Sequence, residues 1–252
     1  MKLAMTETPR RRPYVSRTTA FASGADSPVQ VLEECLTEID RRDTTVGAFT
    51  VIDAAAARAA AAASAQRWRA GTPLSAVDGM PVGVKDMIDT ADMVTGMGSP
   101  LFDGYRPLFD AASVQGLRES GAVILGKTVT TEFASSHPRG TRNPWDLTRT
   151  PGGSSSGSAA AVGCGMLCGG LGTQVVGSIL RPSGFCGAYG FKPSVGGINR
   201  GGSLDYLSQS VSYQPSYPAT GFAQVRLVSE AMRSVICISL FQASQHASRM
   251  AS

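Results

Sequence analysis

Two stretches decide how this chain is read: Pro151-Gly152-Gly153-Ser154-Ser155-Ser156-Gly157-Ser158, and Gly172-Thr173-Gln174-Val175-Val176-Gly177-Ser178. Each is a glycine-rich turn that presents serine. Upstream, Gly83-Val84-Lys85-Asp86 places a lysine at the end of a short apolar run. A serine nucleophile needs a base, and the chain has only two histidines, His137 and His246. Serines ringed by glycine, with a lysine at hand, point to nucleophilic chemistry without a Ser-His pair, and Lys85 is the candidate base.

The surrounding composition is that of an ordinary globular protein. The 252 residues are 42% hydrophobic and 17% charged, enough for one large domain or two small ones. The net charge of +4 sits at the beginning, where Lys2, Arg10, Arg11, Arg12 and Arg17 oppose Glu7. The remainder is neutral, so no nucleic-acid-binding face is expected. The basic start lacks the apolar core of a secretory signal, and residues 1–26 are predicted to be a basic flexible leader. No stretch reaches the roughly 18 uncharged apolar residues of a membrane span, because 222–241 carries Arg226, Glu230 and Arg233. The five cysteines, an odd number, are Cys35, Cys164, Cys168, Cys186 and Cys237. Without a secretion signal they imply reduced thiols and a cytoplasmic setting. Cys164 and Cys168, at i and i+4, are predicted to share a helix face as packing thiols, since further metal ligands are not clustered nearby.

Local patterns alternate between helix and strand. Ser27-Pro28 reads as an N-cap followed by proline at the first helical position, and Val31, Leu32, Cys35, Leu36 and Ile39 mark one apolar face. Residues 49–52 form a β-rich run. The alanine-dense segment 53–69 is predicted helical and ends at Gly71-Thr72-Pro73. A strand over 81–84 leads to Lys85, a helix covers 111–119, and 122–125 is a buried strand. A further helix is expected near Thr128, and another over 155–166. This alternation implies an α/β fold with a mainly parallel central sheet covered by helices on both faces.

Two single-motif matches fail on physical grounds. Gly121-Ala122-Val123-Ile124-Leu125-Gly126-Lys127-Thr128 fits the P-loop pattern. A P-loop, however, cradles phosphate with a loop that follows a strand, and these four apolar residues are the strand itself. Gly153-Ser154-Ser155-Ser156-Gly157 fits the nucleophile elbow, which would select Ser155. That elbow needs a buried strand before it, and Arg149-Thr150-Pro151-Gly152 is no such strand.

The composite pattern is far more specific. In order come the Gly-Val-Lys-Asp run, the two glycine-serine turns, Arg181-Pro182, Phe185-Cys186-Gly187 and Gly190-Phe191-Lys192-Pro193-Ser194. Together they resemble the amidase signature family, over about 27–205. The resemblance implies a Ser–cis-Ser–Lys triad in which Ser178 is the nucleophile, Ser154 follows a cis peptide bond, and Lys85 is the base. Backbone N–H groups of Val175, Val176 and Gly177 would form the oxyanion hole. A free lysine, with pKa about 10.4, is protonated at neutral pH. Burial disfavours its charge, which is what would make Lys85 a base.

The chain departs from the family pattern in four places. Gln174 stands where many members have aspartate, and Leu180 where many have arginine, with Arg181 one place later. That arrangement resembles a Gln-type branch of carboxybiuret hydrolase-like and small-amide amidases. Val176 replaces a usual glycine and would be strained if its φ were positive. Finally, the similarity fades after Asp205, so 206–252 reads as a divergent tail and the fold as incomplete at its C-terminus, as in a truncated chain.

The expected function is hydrolysis of a small amide or carbamoyl C–N bond through an acyl-enzyme, with no metal or organic cofactor. The partner is a small-molecule amide, with neither nucleic acid nor membrane, and a homodimer is left open. Two alternatives stand beside it: an inactive truncated fragment, and the glutaminase-type subunit of a tRNA-dependent amidotransferase.

Overall fold

The computed structural model describes residues 8–193, Ile198 and the backbone of 237–239. Helices α1 (Thr18–Phe21) and α2 (Pro28–Val46) open it, followed by β1 (Phe49–Ile52) and α3 (Ala54–Arg69). Next come β2 (Pro81–Lys85), α4 (Ala112–Glu119), β3 (Val123–Thr128), α5 (Ser156–Gly163) and β4 (Gly169–Gly172). Helix α6 (Leu180–Phe185) and strands β5 (Gly190–Phe191) and β6 (Cys237–Ser239) complete the described elements.

The strands form one mixed sheet in the order β1-β3-β2-β4-β6-β5. Only β1 runs antiparallel, against β3, and the other pairs are parallel. Helices flank the sheet: α2, α3 and α4 pack on the β2–β3 region, and α5 on β2, β3 and β4. The α/β architecture is thus the one expected. Strands β2, β3 and β4 are buried along their whole length, which is why they read as continuous apolar or glycine runs rather than as alternating patterns.

Several elements end where local chemistry ends them. The Ser27 hydroxyl accepts from Gln30 N at 3.1 Å and caps α2, with Pro28 at its first position. Val31, Leu32, Cys35, Leu36 and Ile39 are buried beneath it. Gly47, with φ of 63°, closes the helix in the left-handed conformation. Asp53 caps α3 by accepting from Ala56 N at 2.9 Å.

Other expectations are corrected. The basic start is folded from Thr8 onward rather than flexible. Tyr14 and Phe21 are buried and stack with Trp68 in a chain of rings 5.5 Å apart. Arg17 pairs with both Asp26 and Glu34, and Arg12 reaches Gly165 O at 3.0 Å. Arginines spaced along a basic run look solvated in sequence, but Glu34 on α2 pairs with Arg12 and Arg17, and Asp26 before it pairs with Arg17. The helix expected near Thr128 is instead the end of β3, followed by a short 3-10 turn, Glu132–Ala134. Phe133 and Ala134 both have positive φ there, 47° and 55°, which no propensity scale anticipates. Helix α5 is shorter than its small-residue run, so Cys164 is its C-cap and Cys168 lies just before β4. Both thiols are buried, but not on a common helix face.

Candidate active site

The parallel strands β2 and β4 are neighbours, with Val84 opposite Leu171. Lys85 ends β2, and Thr173 follows β4 directly. The sheet therefore sets these two residues side by side although 88 positions separate them. Lys85 is fully buried, and its Nζ donates to Thr173 Oγ1 at 2.6 Å and to Ser154 Oγ at 2.7 Å.

Ser154 reaches the lysine from the loop that precedes α5. The Gly153–Ser154 peptide bond is cis, and the Ser154 carbonyl accepts from Thr131 N at 3.0 Å. Glycine is required on either side of it. Gly152 has φ of 77°, in the left-handed region. At Gly157 a Cβ would stand 2.1 Å from Ala48 O and 2.4 Å from Val129 N, so α5 could not seat against the strand end with any side chain there.

The second turn carries Ser178, half-buried, and joins the first through its carbonyl, which accepts from Ser155 N at 3.0 Å. Ser155 itself is sealed inside, its hydroxyl donating to Thr173 O at 3.3 Å. That is no position for the nucleophile that a Gly-x-Ser-x-Gly pattern would choose. Ser158, also buried, is spent on Thr128 and Leu171 O. The structure thus brings Lys85 and Ser154 into direct contact and ties the Ser178 turn to the next residue along.

Around Ser178 the chain is exposed: Val175 is 39% and Val176 84% accessible. The described non-glycine residues with positive φ are Met97, Phe133 and Ala134, so Val176 escapes the strain that a left-handed turn would impose. Among the described residues, none accepts the N–H of Val175, Val176 or Gly177.

Two neighbours of the site were not among the residues given a role from sequence. Thr173 adds a hydroxyl to the lysine, and its own contact with Met87 Sδ at 3.1 Å leaves its oxygen free to accept. Gln174 is buried, and its Oε1 accepts from both Ile179 N and Leu180 N at 2.9 Å, capping the start of α6. A neutral amide oxygen does here what a carboxylate would do, without a buried charge that needs an arginine. The hint was present in Gly-Thr-Gln itself, because a threonine and a glutamine just after a buried strand need partners.

Other proteins are similar to this chain in sequence and in fold. The model of the Amidase family matches residues 30–246, and so extends into the segment 206–252 expected to be a divergent tail, most of which lies outside the described residues. A glutamyl-tRNA(Gln) amidotransferase subunit from Chloroflexus aggregans is 41% identical over 196 residues, covering 75% of this chain and 40% of that one. The native peptide amidase of Stenotrophomonas maltophilia superposes with a TM-score of 0.72 at 33% identity, covering 77% of this chain and 42% of its own. A structure from work on the evolutionary origins of an s-triazine catabolic enzyme gives 0.72 at 36% identity, over 76% of this chain and 44% of that one. This chain therefore spans about two fifths of the length of the proteins it matches.

Proposed function

Because this chain belongs to the amidase family, we propose that it hydrolyses an amide C–N bond with Ser178 as nucleophile, Ser154 as proton relay and Lys85 as base. The observation that carries the proposal is the 2.7 Å contact between the buried Lys85 amine and the Ser154 hydroxyl beside the cis bond. A neutral Lys85 takes the Ser154 proton along that line while Ser154 takes the proton of Ser178. The Ser178 oxygen adds to the carbonyl carbon, and the carbonyl electrons move onto its oxygen. The N–H groups of Val175, Val176 and Gly177, unclaimed by other described residues, suit that oxyanion. Collapse of the adduct breaks the C–N bond, and the relay returns the proton to the leaving nitrogen. Water then adds to the acyl-enzyme through the same relay and frees the acid. Apart from the water, every step uses this chain's own side-chain and backbone groups, with no cofactor assigned a role.

The substrate we favour is a small amide or carbamoyl compound. The Gln174 cap and its Leu180 neighbour resemble the branch that handles such molecules, and a relative linked to s-triazine catabolism lies among the similar structures. A second function is supported by the 41% identity to a glutamyl-tRNA(Gln) amidotransferase subunit: release of ammonia from glutamine for delivery to a partner protein.

Fluorophosphonate labelling tests the chemistry. Wild-type protein should be labelled at Ser178, while Ser178→Ala and Lys85→Ala should be silent. Turnover that survives Lys85→Ala would refute the base assignment, and an unlabelled, folded wild type would leave an inactive fragment. Ammonia release over a panel of ureas, biuret-like compounds, small amides and glutamine then separates the two substrate classes.

A further inference from the structure

Strand β3 carries a second buried lysine that the scheme above does not use. Lys127 is fully buried, and its Nζ donates to Ile88 O at 2.9 Å, Thr95 Oγ1 at 2.7 Å and Val94 O at 3.3 Å. Asp86 Oδ1 lies 3.6 Å away. These acceptors come from two separate points of the segment that leaves β2, so one amine draws Ile88 together with Val94 and Thr95. Asp86 fastens the same loop: its Oδ1 accepts from Gly96 N at 3.0 Å and its carbonyl from Met97 N at 2.9 Å.

Lys127 lies opposite Val84 across the β2–β3 pair, and Lys85 opposite Thr128. Side chains alternate faces along a strand, so the two lysines leave the sheet on opposite sides and meet only through the backbone. The link is short. Ile88, held by Lys127 at its carbonyl, donates its own N–H to Lys85 O at 2.9 Å, and Met87 donates to the same carbonyl at 2.7 Å. Met87 also carries the sulfur that touches Thr173.

The arrangement is costly. Burial pulls Lys127 down to about 8 and pushes Asp86 and Asp89 up. An apolar residue of similar volume commonly serves stability as well as a buried ion pair does, so stability alone gives little reason for this cluster. We infer that Lys127 is a positioning residue for Lys85: by tying Ile88, Val94 and Thr95 together under the sheet, it fixes the turn that aims the Lys85 amine at Ser154 and Thr173.

This inference rests on the assignment of Lys85 as the base. The test uses the full chain with Lys127→Met and Asp86→Asn together, which removes both charges of the pair while the introduced amide oxygen still accepts from Gly96 N. Thr95→Val is the milder companion, removing one acceptor and no charge. Displacing a catalytic group by about 1 Å can cost on the order of a hundredfold in rate. The double variant should therefore melt cooperatively near the wild type yet label Ser178 at least about tenfold more slowly, with Thr95→Val changed in the same direction by less. The titration of Lys85, followed by the NMR signal of its 13C-labelled side chain, should move in both variants. Folded variants that label at the wild-type rate and leave the Lys85 titration in place would overturn the inference. If the wild type is not labelled at all, the function fails, and the Lys85 titration still decides the role of Lys127.

Discussion

Replacing Thr173 by valine removes one hydroxyl and leaves the shape of the side chain almost unchanged. Its oxygen accepts from Lys85 Nζ at 2.6 Å. A hydrogen bond between neutral groups contributes about 0.5–1.5 kcal/mol net, and one to a charged group about 1.5–3 kcal/mol. While Lys85 is neutral the bond belongs to the first class, and once the amine holds the relayed proton it belongs to the second. Only the difference, about 1 kcal/mol, appears in the rate, because the rest is present before reaction as well. Thr173→Val should therefore slow fluorophosphonate labelling of Ser178 about fivefold and lower the unfolding free energy in urea by about 1 kcal/mol. Thr173→Ser, which keeps the hydroxyl and loses a methyl, should label close to the wild-type rate. Two results would refute the reasoning: a folded Thr173→Val that labels as fast as the wild type, or a Thr173→Ser as slow as Thr173→Val. The first would make Thr173 a packing residue, and the second would place its role in the methyl group.

Two further outcomes are expected. Lys127 is held at about 8 against its ordinary 10.5, so between those values the unfolded chain keeps a proton that the folded chain has released, and stability should rise with pH. Across that window the rise attributable to Lys127 is roughly 3 kcal/mol, while Asp86 and Asp89, raised by burial, act in the opposite sense at lower pH, favouring the folded chain while protonated and losing that contribution as pH rises through their folded values. Urea unfolding of wild type and Lys127→Met from pH 7 to 10 should diverge, and parallel curves would show that the amine is not buried as described. Gly157→Ala should lose about 1–3 kcal/mol or fail to fold, since backbone atoms 2.1 and 2.4 Å from the new Cβ cannot yield as a side chain can. An equilibrium denaturation midpoint equal to that of the wild type would count against the close seating of α5.

What sequence determined was local. The Ser27-Pro28 start of α2, its buried stripe from Val31 to Ile39, and the apolar runs of β2 and β3 follow from periodicity and caps, which depend on neighbours a few positions away. The ordered glycine-serine motifs likewise named Lys85, Ser154 and Ser178 as candidates. Tertiary structure decided what those residues touch. Thr173 meets Lys85 because β2 and β4 pair across the sheet, and Gln174 finds its partners because the amides of Ile179 and Leu180 converge on its Oε1 at the start of α6. The segment 8–26, basic and polar in sequence, packs against the rest because Asp26 and Glu34 meet Arg17 while Tyr14 and Phe21 enter the core. A buried polar group is satisfied by whatever strand order brings to it, and strand order is not encoded in spacing along the chain. That is why Lys127, which sequence placed in a strand resembling a P-loop, became legible as a clamp behind Lys85 only when β3 was seen beside β2.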